Sequence, residues 1–179
     1  MSDAQSTLPP VKESIKIHPG IALEYETLRN EIIKRLEMRQ KIMELTMTIA
    51  GIFIGLGIKT DSIAMLYPLL AIFLAAAWVQ NDLRITDIGN YIRDHIENKI
   101  LDLEWETTVQ NKRVLDASEG KFRSTILAHG GIFIISQIIA MGVGLSFILS
   151  FTLVDKVLFW ADMVSLLVVI FIFTLDSRV

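Results

Sequence analysis

The chain has 179 residues, 52% of them hydrophobic and 21% charged, with a mean hydropathy of +0.49; soluble domains carry about 25% charge, so the excess points to lipid. Seventeen Lys and Arg against twenty Asp and Glu leave a net charge of -3, without the basic surplus that nucleic-acid binding requires. Cysteine is absent, which excludes disulfides, cysteine-bound zinc, iron–sulfur clusters and thiol nucleophiles.

Met1 to Ser14 contains Pro9 and Pro10 and no apolar core, so it does not read as a secretory signal; residues 1–19 are expected to form a disordered cytoplasmic tail. Pro19-Gly20 then opens a run to Lys41 free of further Gly or Pro, with Tyr25, Leu28, Ile32 and Leu36 on one helical face. Glu31 with Arg35 and Glu37 with Lys41 are i,i+4 pairs in the favourable order. This amphipathic helix is expected to run unbroken into a first membrane span at about 42–58, whose uncharged part is Leu45 to Ile58. A second span, at about 62–81, follows the uncharged block Ser62 to Asn81, with Pro68 as a tolerated kink in its first third.

From Asp82 to Leu103, Ile85, Ile88, Ile92, Ile96, Ile100 and Leu103 repeat the helical spacing, with Gly89 as the weak point. The second span should therefore continue into the cytoplasm and lay its apolar face against that of the first helix, as an antiparallel stalk. At its foot, Leu-Asp-Leu-Glu-Trp105-Glu106 offers two readings for Trp105, an anchor at the headgroups or a buried plug closing the stalk. Residues 107–123 are polar and form a connector, either a helical return or a loop.

Ser124 to Val154 holds no formal charge with His129 neutral, and is long enough for a tilted span at about 126–154. Asp155 and Lys156 mark the tight turn before a fourth span at about 157–175, whose charge is Asp162. The expected fold is thus all-α, with four transmembrane helices and a cytoplasmic helical stalk continuing the first two. A competing reading makes the first hairpin a buried pair in a soluble bundle, but soluble core helices rarely lack charge on every face over such lengths.

Fifteen Lys and Arg fall in the termini and central segment, against Lys59 and Lys156 in the two short turns. The positive-inside rule then places both termini in the cytoplasm of a multi-pass inner-membrane protein. Any regulator is expected to act from the cytoplasm.

Small residues recur at helix-packing spacing: Gly51 with Gly55, Ala71 with Ala75, and Ala140 with Gly144. Contacts within one chain are favoured for them, with a seam between copies as the alternative. Gln137 beside Ser136 is either one interhelical hydrogen bond or, repeated around an oligomer, the lining of a polar path; Asp162 either snorkels to water or joins that path. His129 is either a wet interfacial residue or a proton sensor. At the exit of the second span, Asp82 and Arg84 are candidates to pair with Arg39 or Glu44 and pin the stalk, with a gate or a contact to a nucleotide phosphate as the sharper alternative. Tyr25, Arg29, Asp82, Arg84, Arg93 and Trp105 are the candidate stalk or partner contacts.

No phosphate-binding loop, dinucleotide fingerprint, zinc-protease helix or nucleophile elbow is present. Asp94 and His95 are adjacent on a helix and diverge by about 100°, and Glu104 with Glu106 have no companion ligands. An enzyme, a metal site and a bound cofactor are therefore not expected.

Tyr25-Glu-Thr-Leu-Arg29, Gln80-Asn-Asp-Leu-Arg84 with Tyr91-Ile-Arg93, and Leu103-Glu-Trp-Glu106 are similar to segments of small bacterial membrane proteins without assigned function. The order of cytoplasmic helix, membrane hairpin and second cytoplasmic helix, over residues 21–103, also resembles the SLATT class of two-span effectors. That resemblance implies a membrane-opening effector of nucleotide-triggered anti-phage defence; together with a stalk contiguous with spans that contain small residues and Gln137, it makes a homo-oligomeric, pore-like effector controlled through its cytoplasmic helices the leading expectation. The alternative is a non-conducting sensor or scaffold that recruits a soluble cytoplasmic partner; transport of a small solute ranks third, since four short spans leave little room for a midplane site.

Overall fold

The computed structural model describes residues 18–59, 61–100, 103–118, 121–145 and 152–176, and every secondary-structure element among them is helical. Residues 1–17 of the tail expected over 1–19, residues 146–151 of the third predicted span and the side chain of His129 lie outside the described residues.

Helix α1 runs from Pro19 to Gly57, 39 residues without interruption, about 58 Å at 1.5 Å per residue. Pro19 sits in the first turn, where its missing N–H costs nothing, and the His18 imidazole accepts the Gly20 amide at 3.2 Å. The short helix α2 (Asp61–Ala64) turns the chain into α3 (Tyr67–Tyr91). Gly57 is required at this turn, because a side chain there would land inside Ala64. The predicted kink at Pro68 does not form. The helix starts at Tyr67 instead, and Pro68 occupies its first turn, where proline is preorganised rather than disruptive.

The expected continuous arm to Leu103 is also corrected. The α-helix passes Gly89 and ends at Tyr91, followed by a π-helical turn over Ile92–Ile96 and a 3-10 turn over Glu97–Lys99. The connector is helical over α4 (Trp105–Ser118), followed by α5 (Lys121–Leu145) and α6 (Leu153–Asp176). Asp155 and Lys156 therefore belong to a helix rather than to a turn. The reason is a capping box at Thr152-Leu-Val-Asp155: the Asp155 carboxylate accepts the Thr152 amide at 2.8 Å and hydroxyl at 2.7 Å, while the Thr152 hydroxyl accepts the Asp155 amide at 3.3 Å.

Helix α3 packs against α1 and α6, and α5 against α1 and α6. Between them lie two apolar clusters. Ala50, Tyr67, Ala71 and Ala140 form one; Ala75, Trp78, Val79, Phe133, Val169 and Phe173 form the other, with Phe173 5.5 Å from Phe133 and 5.6 Å from Trp78 by ring centroids. A third cluster joins Ile32 of α1 to Ile85, Ile92 and Ile96, flanked by Tyr25, Leu28, Ile88 and Leu103.

Two stretches are long and apolar enough to cross a membrane, Tyr67–Lys99 and Leu153–Thr174, and only 28% and 22% of their most apolar windows are buried. A soluble core helix of that composition would be mostly enclosed. Instead Phe73, Trp160, Leu167 and Phe171 point outward. These helices indicate membrane association. Gly130–Leu145 is a shorter apolar segment.

Candidate functional site

Two groups of polar side chains stand out, one inside the apolar bundle and one at the foot of the α1–α3 pair.

Inside the bundle, α5 turns Phe133, Gln137, Ala140, Met141 and Gly144 inward, at spacings of three and four, and all are buried. Helix α6 does the same with Asp162, Ser165, Val169 and Phe173. The Tyr67 hydroxyl meets the Ser136 hydroxyl at 2.6 Å, and Ser136 also reaches the Ile132 carbonyl at 2.7 Å. Ser165 donates to the Pro68 carbonyl at 2.5 Å, and Thr46 to the Ile42 carbonyl at 2.7 Å. Gln137 and Asp162 differ from these. Both are wholly enclosed, and neither their amide atoms nor their carboxyl oxygens find a hydrogen-bond partner among the described residues.

Asp162 therefore does not snorkel to water, because its side chain is turned into the bundle rather than along its outer wall. Gln137 makes no interhelical hydrogen bond to any described side chain, and it lies within a single chain rather than on a surface that copies could share. Of the predicted polar trio, Ser136 is satisfied locally, while Gln137 and Asp162 share the interior.

The small residues divide in the same way. Ala71, Ala75, Ala140 and Gly144 are buried, and a side chain at Gly144 would meet Met65 at 2.6 Å. Gly51 and Gly55 are exposed, and among the described residues nothing beyond the local helix lies within 4 Å of where a Cβ would stand. The favoured intrachain contact is thus corrected for Gly51 and Gly55, which lie on the outward face of α1.

At the foot of the α1–α3 pair, the Arg29 guanidinium donates to Glu106 at 2.9 Å and lies 5.4 Å from the centre of the Trp105 ring. Trp105 is 56% exposed, which overturns the buried plug. The carboxylate of Glu97, which sequence reasoning did not single out, is buried and accepts the Glu106 amide at 2.6 Å, the Thr107 amide at 3.0 Å and the Thr107 hydroxyl at 2.8 Å. It caps the first turn of α4 from nine residues upstream, a negative charge at a helix N-terminus. A cap supplied from another element has no local spacing rule, so the sequence carried no signal for it.

Higher on the same pair, Arg39 is ion-paired with Asp82 and lies 4.6 Å from the centre of the Trp78 ring. Arg84 stays on the surface near Asp87, at 3.9 Å. Tyr25 packs into the Ile32 cluster rather than facing a partner. Arg93 donates to its neighbour Asp94 at 2.8 Å, which holds the Asp94 carboxyl below the ordinary carboxylate range. Tyr91 donates to Glu24 at 2.8 Å, which pushes its phenol up, and stacks on His95 at 4.5 Å. Asp94 and His95 thus face different partners. Among the described residues no cluster of three or more His, Asp or Glu could hold a metal ion.

Compared with protein-family models, curated proteins and solved structures, the chain matches none.

Proposed function

We propose that this chain is a multi-pass protein of the cytoplasmic membrane, with four spans, both termini inside, and a cytoplasmic stalk made from the first part of α1 and the last part of α3. It assembles with copies of itself and acts as an effector that perturbs the bilayer on a signal received by the stalk. The observation that carries this reading is the unbroken α1. At about 58 Å it is nearly twice the thickness of a hydrocarbon core of about 30 Å, so one rigid rod ties the Ile32 cluster to the apolar bundle. A displacement at the Arg29–Glu106 junction is then transmitted along a helix rather than lost in a loop. The outward Gly51 and Gly55 support assembly, since small residues allow close helix approach in lipid. A place in anti-phage defence rests on the SLATT-like order of elements alone.

The absence of native cysteine makes the topology directly testable. Single cysteines at Lys59 and Lys156 should react with an impermeant maleimide from outside the cell, and one at Asn111 only after the membrane is opened; the reverse pattern overturns the orientation, and one without sidedness overturns the four-span reading. Purified protein in vesicles should then release a trapped dye, and Gly51→Leu with Gly55→Leu should abolish the release. Intact vesicles throughout would leave the second reading, a scaffold that recruits a soluble partner. That reading is favoured by exposed Trp105, Val114 and Leu115 on α4, and predicts a partner retained by wild-type protein and lost with Trp105→Ala.

A further inference from the structure

We propose that Asp162 is a proton-binding site inside the helical bundle: its carboxyl is neutral in this conformation and releases the proton when the outer end of α6 parts from α3 and α5. The inference rests on the membrane reading above and deepens it by naming the proton as the ion to which the bundle responds.

The argument begins with enclosure. Asp162 has no exposed surface, and neither oxygen meets a described hydrogen-bond donor. An ionised carboxylate without water, donor or counter-ion is among the costliest arrangements a protein interior can hold, whereas the neutral acid costs only its missing hydrogen bonds. The elements packed against α6 are α3 and α5. In α3 the titratable side chain at this level is Tyr67, already bonded to Ser136. Between Gly130 and Leu145, α5 carries no ionisable residue. On α6 itself, Asp155 is two turns away and engaged with Thr152, and Lys156 is exposed. Lys59, in the turn before α2, is exposed as well, and among the described side chains of these elements no cation faces Asp162.

A metal ion is disfavoured by the same inventory. Even a weakly held cation needs several oxygen ligands, and the nearest polar neighbours by register, the Ser165 hydroxyl and the Pro68 carbonyl, are bonded to each other. A proton needs one oxygen. Buried Gln137, also unpartnered, offers a second polar position deeper in the same interior, so a proton or water entering past Asp162 meets an amide rather than hydrocarbon alone.

Release requires an open form. Ser165 lies one turn from Asp162 on the same face, and its bond to the Pro68 carbonyl fastens α6 to the first turn of α3. Ionisation of Asp162 is compatible with water entering at this level, and hence with parting of that contact.

The test uses full-length protein reconstituted in vesicles and recovered by flotation. Dicyclohexylcarbodiimide attacks carboxyls that are protonated and surrounded by lipid, leaving a stable N-acylurea that mass spectrometry locates. An ordinary Asp, titrating near pH 4, is about a thousandfold ionised at pH 7. Asp162 should be modified at neutral pH and less so in alkaline buffer, and the adduct should vanish in Asp162→Asn. Hydrogen exchange over residues 158–166 should accelerate with pH in the wild type relative to Asp162→Asn, which stays protected because its amide cannot ionise. Protein that stays in the dense fraction overturns the membrane reading and this proposal with it. Floating protein without an adduct on Asp162, with an adduct indifferent to pH, or with equal exchange in the two proteins overturns this proposal alone.

Discussion

Glu97 shows how much one side chain can organise. Its carboxylate is buried beside the π-helical turn and accepts three hydrogen bonds from Glu106 and Thr107, so removing it strips the α4 N-terminus of its cap and leaves half-buried donors unsatisfied. Loss of a cap costs about 1 kcal/mol, and abandonment of buried donors about 1–3 kcal/mol. Glu97→Ala should therefore lower stability by about 2 kcal/mol and speed hydrogen exchange at residues 105–109 ahead of the rest of the chain; uniform acceleration would instead mean that α4 does not depend on this cap. The exposed pairs nearby behave differently. The Asp94 carboxyl is lowered by the Arg93 guanidinium that bonds it, so the contribution of that pair is present at neutral pH and fades as the pH falls through the carboxyl's titration. The Tyr91 phenol is raised by its bond to Glu24, so its contribution is present below about pH 10, the ordinary phenol value, and is lost as the pH rises above it. Tyr91→Phe should flatten the alkaline end of a pH–melting curve recorded in detergent and leave the acid end unchanged; an unaltered alkaline limb would show that the Glu24 contact contributes nothing in solution. Both groups are open to solvent, and added salt should shrink both effects.

At the scale of elements, the apolar periodicity of residues 21–36 and 85–103 made the α1–α3 pairing legible, because two amphipathic faces on antiparallel helices have no other apolar surface to cover. Helix starts were less legible. Pro68 was readable as a kink or as a first turn, and only the preceding α2 turn decides. The capping box at Thr152 and Asp155 was present in the sequence, but an uncharged run ending in an acid and a lysine resembles a loop until the reciprocal bonds are recognised. Thr152→Ala should cost about 1 kcal/mol, read as a lower melting temperature with fraying confined to the first turn of α6. The turn between α1 and α2 is less forgiving. Gly57→Leu would force a side chain into Ala64, where backbone as well as side chain stands in the way, so a loss of about 1–3 kcal/mol is expected, measured by thermal unfolding; wild-type stability would show that α2 can swing away freely. The inward faces of α5 and α6 were partly legible, since Gln137 and Asp162 are conspicuous in an apolar run. Their enclosure was not, because sequence alone does not say which side of a lipid-bathed helix faces its neighbours.

For the molecule as a whole, the balance between inward and outward small residues decides how copies can meet. Ala71, Ala75, Ala140 and Gly144 are used up inside one chain, whereas Gly51 and Gly55 leave a shallow strip on α1 beside a groove of about 480 Å³ lined by Met47, Ala50, Ile54, Ile132, Ile135 and Ile139, among others. In hydrocarbon, apolar surface gives no drive to associate; close packing of backbones does. Leucine at both glycines should therefore leave the monomer's fold intact and its melting temperature unchanged or raised, since leucine favours a helix interior over glycine and, among the described residues, nothing beyond the local helix stands within 4 Å of either Cβ position. If the chain assembles as proposed, the same change should convert that assembly into monomers by light scattering in mild detergent. If the double variant keeps its assembly, the seam lies on another face, and the outward apolar side chains of α6 become the surface to change next.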